Sequence, residues 1–121
     1  MTEELISFET AKLAKEKGFK NKSSNYYNGA SELITSKHFH SNNIMQMLRY
    51  EAPTQSFLQK WLREEHNCYI EILMNKKTKF QYRLISIQDN KPHGDIMGQK
   101  YYNIYEQCLE KALQIALKLI E

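Results

Sequence analysis

Three small groups of residues in this chain have the types and spacing that chemistry needs. His38-Phe39-His40 is the first. On a strand, residues two apart project from one face, so both imidazoles would offer a nitrogen to the same metal ion. A metal centre takes three or four ligands. The residues that would have to complete this one, His66, His93 or Asp95, stand far away in sequence. Two ordinary histidines are the plainer reading. The second group is Cys68 with His66, a thiol and an imidazole two residues apart, the parts of a nucleophile and its base. Cys68 opens an apolar run, where a buried thiol is the commoner condition, and no residue to orient the histidine stands beside it. The third is basic: Lys76, Lys77 and Lys79, with Tyr69 before them and Tyr82 and Arg83 after. Lysines that neutralise phosphates beside tyrosines that stack on bases are the parts of a nucleic-acid surface. Lysines in a turn also keep a sheet edge soluble, and the two readings compete. Glu64, Glu65 and Glu71 read as solvated carboxylates. The four glycines, Gly18, Gly29, Gly94 and Gly98, are scattered and make no phosphate loop.

The totals limit what these groups can belong to. A chain of 121 residues has room for one domain with one core, here taken as residues 1–121. Apolar residues make up 41% and charged residues 26%, and the eight tyrosines argue against disorder. A net charge of +3 permits a polyanionic partner without requiring one. There is no Cys-x-x-Cys pair, which excludes a zinc ribbon. The start lacks the basic and apolar pattern of a signal peptide. The longest apolar tract, at the C-terminus, is broken by Lys111, Gln114 and Lys118, so no membrane span is expected. A cytoplasmic protein with reduced thiols and no cofactor is the simplest expectation.

The elements that must position these residues are legible in most of the chain. Residues 6–19 read as a short helix capped by Ser7 and ended by Gly18. Its inward stripe is Phe8, Ala11 and Ala14, with Leu13 beside it. Residues 20–51 are ambiguous: an Asn- and Ser-rich loop, then LITSKHFHS and IMQMLRY, for which periodicity does not separate strand from helical turn. APTQSFLQKWLREEHN, residues 52–67, reads as a helix with either Pro53 in its first turn or Thr54 as its cap. Phe57, Leu58, Trp61 and Leu62 share one face of it and are expected in the core. On that expectation Trp61→Ala costs about 3–5 kcal/mol if the site is closed.

Residues 68–74 and 80–87 alternate as strands around the five-residue turn NKKTK. Asp89 to Gly98 reads as a loop, and Gln99 to Tyr102 as a short third strand. Residues 103–121 read as a helix with Asn103 and Glu106 as a capping-box-like pair. Tyr105, Leu109, Ala112, Ala116 and Ile120 form its stripe, widened by Cys108, Leu113, Leu117 and Leu119. That arc is broader than one sheet face needs. Either the helix lies deep in the core, or one flank meets another molecule, as in a homodimer through residues 104–120.

Three segments together carry a resemblance. TAKLAKEKGF at 10–19, APTQSFLQKWLREEHN at 52–67 and YEQCLEKALQIALKLI at 105–120 resemble a family of small uncharacterised bacterial and bacteriophage proteins. The resemblance implies a phage or prophage context, and it brings no catalytic or binding residues with it. In element order alone, helix 53–66, three strands and helix 104–120 are also similar to the double-stranded-RNA-binding domain. The lysine cluster that opens that domain's last helix is replaced here by Asn103, Tyr105, Glu106 and Glu110.

The expectation is an α+β domain: a small antiparallel sheet of about three strands packed against two helices, with a short N-terminal helix. Three functions follow in order. The first is an accessory protein acting by contact with an unknown protein partner. The second is nucleic-acid binding through Lys76, Lys77, Lys79, Arg83 and Tyr82. The third is a metal protein or enzyme using His38 and His40. Leu109, Ala112 and Ala116 join Phe57, Leu58, Trp61 and Leu62 as the expected core.

Overall fold

Ser7 does cap the first helix, accepting a hydrogen bond from the Thr10 N–H at 3.3 Å. This bond satisfies one of the backbone donors that a helix N-terminus leaves open. Helix α1 is Phe8–Glu16, shorter at both ends than the sequence suggests. Gly18 at φ +95° turns the chain away, and Phe19 folds back to be buried. The computed structural model describes residues 3–35, 49–75, 78–88 and 91–120. After α1 come β1 (Asn25–Tyr27), β2 (Leu33–Thr35), β3 (Tyr50–Glu51), α2 (Gln55–His66), β4 (Cys68–Met74), β5 (Phe80–Gln88), β6 (Lys91–Met97) and α3 (Tyr105–Leu119). The fold is α+β, and among the described residues the strands form two antiparallel sheets, ordered β2-β1-β3 and β4-β5-β6.

Thr54, not Pro53, settles the start of α2: its hydroxyl accepts from the Phe57 N–H at 3.2 Å. Pro53 lies outside the helix, and its carbonyl accepts the Ile6 N–H at 3.0 Å. Asn67, left-handed at φ 50°, ends the helix, and β4 begins at the next residue. β4 and β5 pair in register from Cys68↔Ser86 to Met74↔Phe80.

The third strand departs from expectation. Residues 91–97, expected as a loop, pair with β5 across a bulge at Ser86/Ile87. Pro92 and Gly94 weaken local strand preference, but both are tolerated in an edge strand, and the open edge of β5 supplies the missing partner. Of residues 99–102, expected as that strand, Tyr102 alone pairs, exchanging both backbone bonds with Phe80 at 2.7 and 2.8 Å.

The cap position of α3 falls on Ile104, which makes no side-chain hydrogen bond, so the helix does not start from an Asn103 cap. Cys108, Leu109, Ala112, Leu113, Ala116 and Leu117 are all buried. They pack against Ala11 and Ala14 of α1, Leu58 and Leu62 of α2, and Ile70, Tyr82 and Leu84 of the sheet. Three neighbours on three sides account for the broad apolar arc. Tyr105 and Leu119, at its two ends, are exposed.

The small sheet docks on α1 instead. The Tyr27 hydroxyl donates to the Ile6 carbonyl at 2.7 Å, and Phe8 meets Tyr27 and Tyr50 edge-on. Phe8 is therefore partly exposed, and Thr10 takes the buried place beside Ala11 and Ala14.

Candidate functional site

Helix α2 carries two parallel apolar columns, and only one of them faces the core. Leu58 and Leu62 are wholly buried. Phe57 and Trp61, each one residue earlier, are rotated by about 100° from them and look toward the turn that ends α1. The placement of Phe57 in the core is thus corrected: it is 44% exposed. Trp61 is half-buried, packed on the core edge. The difference comes from arc width, because a helix covered on one side buries one column and leaves its neighbour at the rim.

Those two side chains build a groove of about 350 Å³ with Gly18, Lys20 and Asn21 on the far bank. Phe19 is its floor. It meets Trp61 edge-on at 5.2 Å between ring centroids and Phe57 at 6.2 Å. The His66 ring also lies against Trp61, at 4.7 Å. Around this aromatic centre stand Lys20 and Lys60 on one hand, Glu64 and Glu65 on the other. Lys60 and Glu64 approach to 3.9 Å as an i,i+4 pair with both ends well exposed. Such a pair holds its geometry weakly. The groove offers apolar area, ring edges and charges of both signs.

A second cleft, of about 490 Å³, lies where the three helices meet, and Glu110 stands in it. Its carboxylate accepts from the Ser7 N–H at 3.0 Å, the Ser7 hydroxyl at 2.9 Å, the Thr10 hydroxyl, and the Gln55 amide at 2.9 Å. Gln55 also donates to the Glu106 carbonyl at 2.9 Å. The Tyr27 hydroxyl, its pKa raised by burial and by the carboxylates of Glu110 and Glu4, is committed to Ile6. These polar atoms are spent on tying α1, α2 and α3 together, so this cleft is a structural joint.

The basic hairpin is divided by the fold. Lys76 and Lys77 lie outside the described residues. Lys79 is exposed. Arg83 is held between Asp95, at 2.5 and 2.9 Å, and Glu71, at 3.6 Å. The hydrogen bond to Asp95 and its charge hold Arg83 up and Asp95 down relative to their ordinary pKa values. Tyr82 is corrected from a stacking residue to a core one. It points inward, 9% exposed, its hydroxyl pushed up by burial, and its ring lies where a Cβ on Gly98 would come to 2.6 Å. Strand alternation explains the split: Tyr82 and Arg83 are consecutive, so they face opposite sides.

His38 and His40 lie outside the described residues. Among the described residues, no three His, Cys, Asp or Glu side chains group as metal ligands. Cys68 and Cys108 are free and buried. Burial raises the Cys68 pKa and pushes Cys108 up to about 11. A thiol held neutral is a poor nucleophile, which removes the support for a Cys68–His66 pair. No helix of the described residues is long and apolar enough to cross a membrane.

Sequence reasoning missed the groove and the Glu110 joint. The signal for the groove was present: four apolar residues at i, i+1, i+4 and i+5 form two columns, and the Lys60–Glu64 pair borders the outer one. No protein-family model, curated protein or solved structure matches this chain.

Proposed function

We propose that the chain is a small accessory protein, of the phage or prophage kind its three segments resemble, that acts by protein–protein contact through the α1–α2 groove. One observation carries the reading: Phe57, a large apolar side chain 44% exposed, packs against the buried Phe19 and lines a groove with four charged side chains, Lys20, Lys60, Glu64 and Glu65. Interface centres are rich in aromatic residues and interface rims are polar, and exposed aromatics that anchor in a partner carry most of the binding energy. The nucleic-acid reading has weaker support. Of its five residues, Tyr82 is buried, Arg83 is ion-paired and Lys79 is the remaining described one. A dimer through residues 104–120 has Ile104 and Tyr105 at one end and Leu119 at the other to work with, on a helix whose middle is buried.

The test is site-specific photo-crosslinking in cells that make the protein. Benzoylphenylalanine is placed at position 57 and, as a control, at the exposed position of Lys111, and adducts are identified by mass spectrometry. The expected result is a defined protein adduct from position 57 and none from position 111. Equal or absent labelling at the two positions would remove the reading.

A further inference from the structure

We infer that the occupant of the groove is the same groove on a second copy, giving a two-fold dimer through antiparallel α2 helices. The inference rests on the reading of the groove as a protein-contact surface and names its partner. An interface about a two-fold axis is made of one patch meeting itself, so the patch must be its own complement. The rim of this groove meets that condition, with two lysines, Lys20 and Lys60, and two glutamates, Glu64 and Glu65. A strongly acidic or strongly basic partner would find half of this rim repulsive.

The arrangement along α2 makes the complementarity specific. Phe57, Lys60, Trp61 and Glu64 follow at i, i+3, i+4 and i+7 and therefore share one face. When two such helices run antiparallel about an axis level with residue 62, Lys60 of each copy faces Glu64 of the other, twice. The Lys60–Glu64 contact within one chain is long at 3.9 Å and exposed at both ends, so both groups can turn outward at little cost. The same axis carries Phe57 of one copy over the last turn of α2 in the other, where His66 closes the aromatic row against Trp61. The apolar centre and the charged rim are then satisfied together.

Sedimentation equilibrium over a wide concentration range tests this, with circular dichroism of each variant to confirm folding. The wild type is expected to rise from 14.4 kDa toward twice that mass. Phe57→Lys should weaken association by about tenfold or more, as loss of a central anchor does. Lys60→Glu and Glu64→Lys should each weaken it by setting like charges together. The double swap restores the pairing and should return the affinity to within about threefold of wild type. A wild type that stays at 14.4 kDa up to about 1 mM would overturn the inference, as would a dimer indifferent to Phe57→Lys and to the swap. The failures are distinguishable. A monomer whose position 57 crosslinks to a different protein sinks the second copy and keeps the contact reading, whereas a monomer with no adduct at position 57 sinks both.

Discussion

Glu110 accepts two hydrogen bonds from Ser7, one from its backbone N–H at 3.0 Å and one from its hydroxyl at 2.9 Å. A carboxylate from the middle of α3 thus sits at the N-terminus of α1, where the open N–H groups and the helix dipole favour negative charge. Ser7 serves twice, since its oxygen also accepts from Thr10 to cap the helix. The buried Thr10 hydroxyl and the buried Gln55 amide complete the set. This joint ties the N-terminus of α1 and the first turn of α2 to α3.

Removing the joint should therefore be felt as stability. Glu110→Ala removes the acceptor shared by Ser7, Thr10 and Gln55, leaving Gln55 only the Glu106 carbonyl and Thr10 only the Ser7 hydroxyl, and should cost about 2–3 kcal/mol in a urea titration. Glu110→Gln keeps one oxygen, lets Gln55 turn its amide, and should cost about 1 kcal/mol. A double-mutant cycle of Glu110→Ala with Gln55→Ala should be clearly less than additive. An additive pair would mean that the two residues act independently.

Cys108 makes stability depend on alkaline pH. Burial raises its pKa from 9.0 to about 11 in the folded chain. The unfolded thiol ionises first, so its contribution is whole below pH 9 and is lost as pH rises toward 11. The loss is bounded by about 2–3 kcal/mol for that shift. Unfolding free energies at pH 8 and pH 10.5 should fall more steeply for wild type than for Cys108→Ala. Parallel falls in the two proteins would show that Cys68 and the tyrosines Tyr27, Tyr82 and Tyr102, raised in the same sense, carry the effect instead.

Arg83 is positioned to steady the outer face of the large sheet rather than to bind phosphate. Its pair with Asp95 forms at pH values above the ordinary carboxylate range and is lost as pH falls through the depressed pKa of Asp95. An amide-resolved NMR titration with short duplex DNA and RNA at low salt should leave residues 78–83 unmoved at neutral pH. Shifts concentrated there, weakening as salt is added, would restore the nucleic-acid reading.

Much of the frame was legible in the sequence because local and tertiary preferences agree there. Ser7, Thr54 and Gly18 stop and start helices by backbone chemistry alone, and residues 68–74 and 80–87 alternate cleanly. Where the two conflict, the sequence misleads. Pro92 and Gly94 argue for a loop, yet the ladder of β5 makes residues 91–97 a strand. Asn103 looks like a cap, but the chain enters α3 one residue later. The site was harder still. Its aromatic column has the same composition as its core column, and what separates them is which side of α2 the rest of the chain covers. Glu110 reads as an ordinary helix glutamate until Ser7 and Gln55, more than fifty residues away, are brought to it.

Helix α2 divides its labour, with Leu58 holding the fold and Phe57 held out for contact. The measurement that tests it most directly is a pair of urea titrations at low protein concentration, Phe57→Ala beside Leu58→Ala. Leu58, wholly buried, should cost about 2–5 kcal/mol on truncation. Phe57, which keeps 44% of its surface in water, should cost clearly less, about 1 kcal/mol. Equal and large losses would contradict the account: Phe57 would then be a core residue, and the groove would have no anchor to offer a partner.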